Sequence, residues 1–150
     1  MRTTRAMLVL AVVVGLPLAG WWVRRDAPPR CALDGLDIEP RYRVRVADSA
    51  GGSYQFCCTR CAERWLARQP GAPETVIVTD EKSNEEINAR AAHFVRSPVV
   101  TNRVTGNRVH AFRDQADADA HIRQFGGWLL VGDERPFGIW FPPIRTGEGD

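Results

Sequence analysis

Polar and apolar residues alternate along Arg41-Tyr42-Arg43-Val44-Arg45-Val46, the period of a half-buried strand. Gly51-Gly52 marks a turn, and Ser53-Tyr54-Gln55-Phe56 reads as a short return strand. The period then changes. Through Cys57-Cys58-Thr59-Arg60-Cys61-Ala62-Glu63-Arg64-Trp65-Leu66 the sulfur-bearing residues are three and four apart, and Trp65 and Leu66 continue the same buried side, as on one face of a helix. Gln69-Pro70-Gly71-Ala72-Pro73 closes this unit. Thr75-Val76-Ile77-Val78-Thr79 reads as a buried strand and Asp80 to Asn84 as a polar turn. The pattern from Ile87 to Val95 fits either a strand or a short helix followed by a strand. Val99-Val100-Thr101 and Arg108-Val109-His110-Ala111-Phe112, flanking Thr105-Gly106-Asn107, predict a second hairpin. A helix follows, with Asp114 as N-cap, Asp117 and Asp119 at its positive end, an apolar side of Ala118, Ile122 and Phe125, and Gly126 as its stop. Trp128-Leu129-Leu130-Val131 predicts a last strand.

Placing Phe56 on Phe112 also places Ala62 on Ala118 and Leu66 on Ile122, with a glycine turn before each phenylalanine. The chain therefore reads as an α+β protein of two strand-strand-helix units. In the second unit the cysteine positions hold Arg113, Asp114 and Asp117, so only the first is equipped for thiolate chemistry.

The pattern before these units is of another kind. Residues 7–23 form an apolar run behind Arg2 and Arg5, short for a bilayer span and ending in Trp21-Trp22. An export signal and an uncleaved membrane anchor both fit, and the anchor is adopted because no small-x-small cleavage site follows cleanly. This places residue 26 onward outside the cytoplasm, facing the periplasm or the cell exterior. The expected organisation is a signal or anchor over 1–25, a domain over 26–135, and a Pro-rich, partly disordered tail over 136–150.

Charge narrows the function classes. Five arginines against Asp26 give residues 1–30 a charge of +4, which leaves −2 for the rest of a chain whose total is +2. No basic face for nucleic acid is expected.

The four cysteines, Cys31, Cys57, Cys58 and Cys61, lie in two short stretches. The later three sit where a strand becomes a helix, and unpaired N–H groups there favour thiolate over thiol. Cys31, at the other end of the hairpin, can add a sulfur, and Asp34 a carboxylate. A structural reading competes: a secreted domain with four cysteines usually pairs them. Adjacent Cys57 and Cys58 suit two independent disulfides poorly, so a soft-metal or reactive-thiol site is preferred. One reversible disulfide, such as Cys31 with Cys57, fits either reading. Of His93, His110 and His121, each has a structural reading, and no spacing selects one as a ligand.

From Cys31 to about Val131 the chain resembles the NosL family of copper-binding accessory proteins for nitrous oxide reductase. The resemblance is carried by Cys31-Ala32-Leu33-Asp34-Gly35, the hairpin into a cysteine-bearing helix, Val78-Thr79-Asp80, Ala92-His93-Phe94-Val95, and Val109-His110-Ala111-Phe112 before a helix ending in Gly126-Gly127. It implies a Cu(I) binder attached to the membrane, with a metal-receiving partner. Two departures stand out: Met1 and Met7 are the only methionines, and Asp34 stands where a second cysteine would complete Cys-x-x-Cys. Cys31-Ala32-Leu33-Asp34 and Phe56-Cys57-Cys58 are similar to the catalytic segments of organomercurial lyases, which share the NosL fold. That likeness implies Cys31 and Cys57 as mercury-binding thiolates and Asp34 as proton shuttle. Those lyases carry an N-terminal helical domain where this chain has its apolar segment. The leading expectation is thus a non-enzymatic binder holding Cu(I) through Cys31, Cys57, Cys58 and Cys61, with Hg(II) or Zn(II) as other candidate ions. The alternative is an enzyme of the lyase type using Cys31, Asp34 and Cys57.

Overall fold

The computed structural model describes residues 29–141. The expected anchor over 7–23 and the end of the expected tail lie outside these residues. Among the described residues no helix is long and apolar enough to cross a membrane.

The first unit follows the hydrophobic pattern closely. Strands β1 (Val44–Ala47) and β2 (Ser53–Phe56) pair antiparallel, and helix α1 (Thr59–Leu66) follows directly. Arg41 and Tyr42, expected at the start of the first strand, instead belong to a 3-10 turn at Pro40–Tyr42. Proline supplies no N–H for a ladder and its fixed φ suits the first residues of such a turn. Strand β3 (Thr75–Thr79) pairs with β1, and β4 (Glu86–Asn88) with β3, giving the antiparallel order β2-β1-β3-β4.

The second unit repeats this plan. Strands β5 (His93–Arg96), β6 (Val109–Phe112) and β7 (Trp128–Leu130), with helix α2 (Gln115–Phe125) between β6 and β7, form a sheet of order β6-β5-β7, again antiparallel. Each unit is thus a hairpin, a helix and a strand returning beside the first strand. Cys58 and Asp114, matched by the internal alignment, are both helix N-caps.

Two expectations are revised. The ambiguous stretch resolves into β4, a turn, and β5, because Phe94 and Val95 are both fully buried, one on each face of the second sheet. A strand covered on both faces shows no alternation. The partner of β6 is β5 and not Val99-Val100-Thr101. Those residues belong to a loop behind Pro98, closed by Ser97 N–H on Arg108 C=O at 3.2 Å and Thr101 N–H on Asn107 C=O at 2.9 Å.

Packing sets the division of labour between the units. The main core gathers Val44, Val46, Phe56, Ala62, Leu66, Val76, Val78, Phe94 and Phe137, together with all four cysteines. A smaller core of Val95, Phe112 and Ala118 lies under α2. Phe125, expected on the apolar side of that helix, is exposed and rests against His121, with ring centroids 4.8 Å apart. Asp80 joins the units: its carboxylate accepts from Ser83 Oγ at 2.6 Å, Ser83 N–H at 3.0 Å and Arg113 N–H at 3.2 Å. Burial works against its charge, but these bonds hold its pKa below the usual carboxylate value.

His121 makes stability sensitive to acid. Burial, and secondly the His110 ring 4.3 Å away, lower its pKa to about 4. The unfolded chain, with a histidine pKa of about 6.5, binds the proton first, so stability falls as pH drops from 6.5 towards 4 and levels off below that. Because the ring is partly solvated, we expect a loss of about 1–2 kcal/mol. Urea unfolding from pH 7 to pH 4 should show this slope, and His121→Gln, which retains a hydrogen-bonding group for Ser97, should flatten it. An equal slope in the variant would assign the acid sensitivity elsewhere.

Candidate metal centre

Three local structures bring the chemical groups together. The segment from Cys31 to Leu36 folds into a tight turn, with Cys31 N–H on Leu36 C=O and Gly35 N–H on Cys31 C=O, both at 2.8 Å. Gly35 sits at φ +72°, a left-handed value that favours glycine. Asp34 Oδ1 accepts the Leu36 N–H at 3.1 Å, an Asx turn that leaves Oδ2 free to face the sulfurs. Ala32 N–H donates to Gln55 C=O at 2.8 Å, which docks this turn on β2. The strand β2 then runs straight into Cys57, Cys58 and α1.

The result is a cluster. The donor atoms of Cys31, Asp34, Cys57 and Cys61 all lie within 4.8 Å of one another, with the three cysteines buried and Asp34 exposed. Cys57 Sγ and Cys61 Sγ are 3.6 Å apart, and Asp34 Oδ2 lies 3.2 Å from Cys61 Sγ and 3.9 Å from Cys57 Sγ. With metal–sulfur bonds of about 2.3 Å, ligand sulfurs around one ion stand about 3.8–4 Å apart. The cluster therefore needs only small side-chain rotations to surround a soft ion. All four cysteines are free thiols.

Cys58, the remaining member of the expected sulfur set, is placed differently. Its Sγ lies 4.0 Å from Cys57 Sγ but turns to Thr105 Oγ1, at 3.4 Å, on the loop of the second unit. None of the three histidines joins the group. His110 lies between Glu81 Oε2 (2.9 Å) and Val99 C=O (3.2 Å), and His121 reaches Ser97 Oγ (3.0 Å).

The sulfurs differ in how readily they ionise. Cys58 is lowered to about 6, first by the hydrogen bond from the Cys61 thiol, against burial, with help from the Thr105 hydroxyl and the Cys61 backbone N–H. Cys57 is pushed up by burial and by the neighbouring Cys58 charge. Cys61 is pushed up because its thiol donates to Cys58, and by burial and Asp34. Burial opposes ionisation of Asp34, but the thiols of Cys31 and Cys61 and the Leu36 N–H hold it below its usual value. Ionisation is thus favoured at Cys58 and Asp34 and opposed at Cys57 and Cys61, and an arriving cation displaces the thiol protons that remain.

The second unit supplies groups that periodicity did not reveal. Asn107 is buried: Thr59 Oγ1 donates to its Oδ1 at 3.1 Å, and its Nδ2 donates to Thr101 Oγ1 at 2.6 Å and Val109 C=O at 3.1 Å. This fixes the start of α1 against the loop that carries Thr105. The Thr105-Gly106-Asn107 turn was the only trace of that role in the sequence. Beside the cluster, a cleft of about 480 Å3 lined by Leu36, Asp37, Tyr42, Cys57 and Val104 among others opens onto Cys57.

Two repeated α+β units with a cluster of three buried sulfurs and one exposed carboxylate at a strand-to-helix junction define a small domain compatible with soft-metal binding. The structure is similar to the crystal structure of the copper chaperone NosL from Shewanella denitrificans, with a TM-score of 0.62 and 27% sequence identity, covering 73% of this chain and 90% of that one. No protein-family model and no curated protein matches the chain. The fold is thus NosL-like.

Proposed function

We propose that this protein binds Cu(I) through Cys31, Cys57 and Cys61, with Cys58 as a neighbouring thiolate, and acts as a membrane-anchored, extracytoplasmic copper accessory or chaperone protein that passes its ion to a receiving partner. The observation that carries this reading is the convergence of three sulfurs and one carboxylate within 4.8 Å. Thiolates favour Cu(I) over harder ions, and the cluster borders a cleft through which an ion can enter. The similar NosL structure is described as a copper chaperone. Anchoring rests on the apolar run over 7–23 and its arginine flanks.

A specific observation supports the organomercurial-lyase alternative as well. Asp34 Oδ2 lies beside Cys61 and Cys57, where the carboxylate could take up a thiol proton as mercury binds to Cys31 and Cys57 and pass that proton to the carbanion leaving the metal. The deciding experiment incubates the reduced full-length chain anaerobically with phenylmercury and excess small thiol, with Cys31→Ser as control. Stoichiometric mercury capture without benzene is the expected result, followed by competition with a coloured Cu(I) chelator that should show one tightly held ion per chain. Repeated cysteine-dependent benzene release would replace the binder by a lyase. No competition for Cu(I) would remove the copper reading.

A further inference from the structure

A second cleft lies away from the thiols. It has a volume of about 600 Å3 and lies between α1 and the second sheet, lined by Arg60 and Glu63 on one side and Arg96, Arg108, Val109 and Trp128 on the other. The strand register explains the second wall. Arg96 pairs with Val109 on β6 and with Trp128 on β7, so the three project from one face at the same end of the sheet. Further along that face Phe94, Ala111 and Leu130 enter the main core, while α2 covers the opposite face. Arg96 and Trp128 are therefore where this face runs out from under the core.

Its positive charge is only partly compensated. Three guanidinium groups meet one carboxylate, and Glu63 Oε1 is already engaged by the Phe137 N–H at 3.1 Å. Arg60 donates to Thr105 C=O at 2.9 Å, whereas among the described residues the side chains of Arg96 and Arg108 have neither a hydrogen bond nor an ion pair. Trp128 is 53% exposed beside them. Trp128 begins β7, an edge strand of its sheet. Unpaired arginines around an exposed tryptophan are the composition of an energetic centre in a protein interface. An exposed indole on an edge strand, beside guanidinium groups with no bonded partner, suits a polypeptide that offers carboxylates and an apolar side chain together better than a compact small anion.

We infer that this cleft docks an acidic polypeptide segment of a partner protein, its carboxylates on Arg96 and Arg108 and an apolar side chain on Trp128. The inference does not depend on the metal reading, because none of the proposed metal ligands lines the cleft. It does place the partner close to the thiols: Arg60 grips Thr105, whose hydroxyl is 3.4 Å from Cys58 Sγ.

The test uses the reduced, metal-free full-length chain and a fluorescent acidic pentapeptide, Asp-Glu-Phe-Glu-Asp, followed by anisotropy at low salt. Binding is expected to weaken with added salt, to be absent for the lysine counterpart of the peptide, and to drop by about tenfold or more in Arg96→Glu/Arg108→Glu. Trp128→Ala, at an exposed position that should fold normally, is expected to weaken it severalfold. Binding that is undiminished in both variants, or no binding at all, would overturn the inference. Displacement by citrate at equal affinity would also overturn it, making this a small-anion site.

Discussion

Cys57→Ser should lower the affinity for Cu(I) by about 100-fold or more, and Cys61→Ser and Cys31→Ser by similar factors. Loss of an outer-shell partner typically costs 10–100-fold in metal affinity, and a direct sulfur ligand in a site of few ligands should reach or exceed the top of that range. The three positions are equivalent in this respect because their sulfurs share one 4.8 Å cluster. Asp34→Asn is expected to change Cu(I) affinity only about threefold or less, since a hard carboxylate oxygen adds little to a soft ion. Asp34 sits within 3.2 Å of Cys61 all the same, so the same variant separates the two readings: a lyase would lose its proton source with it. Competition against a coloured chelator under anaerobic conditions measures all four variants, with circular dichroism to confirm that each is folded. Parent-like affinity in every cysteine variant would show that the ion binds elsewhere.

The second large effect is structural. Phe137→Ala is expected to destabilise the fold by about 3–5 kcal/mol, the usual cost of emptying a buried phenylalanine site. Phe137 is 1% exposed and packs edge-on against Phe94, with centroids 6.3 Å apart. Its N–H donates to Glu63 on α1, and its carbonyl accepts from the N–H groups of Trp140 and Phe141 at 3.0 Å each. The residue is held at φ +66°, a left-handed backbone that costs a non-glycine residue roughly 1–2 kcal/mol. Burial must outweigh that strain, which is why the side chain and not the turn itself fixes this segment. Against a total stability of about 5–15 kcal/mol, the loss should lower Tm by about 10 °C or more. A shift of only a degree or two would mean that residues 136–141 are not part of the cooperative core.

Much of the first unit was legible because its signals are local. Alternation along residues 43–46, the glycine turn, and the change to a three-and-four spacing at Cys57 each depend on near neighbours, and β1, β2 and α1 follow them. The internal repeat was legible for the same reason, and the order β2-β1-β3 within the four-stranded sheet matches the order β6-β5-β7 of the three-stranded one. Other features depended on distant partners. Whether β6 would pair with residues 99–101 or with β5 was decided by Phe94 and Val95, which needed covering on two faces. The aromatic residues after Pro136 read as a tail because no periodicity surrounds them, yet Phe137 fills the core.

The candidate site divides along the same line. The sequence by itself determined which groups are available: three cysteines at a helix start, a fourth with Asp34 at the other end of a hairpin, and no sulfur in the matching place of the second unit. Only the tertiary structure decided which of them meet. The turn from Cys31 to Leu36 docks on β2 and delivers Cys31 and Asp34 to Cys57 and Cys61, while the Thr105 loop draws Cys58 aside. Composition and short-range spacing specify chemistry and local conformation. Convergence within a few ångströms between groups tens of residues apart is set by how the sheets, the helix and the loop pack, and that is a property of the folded chain as a whole.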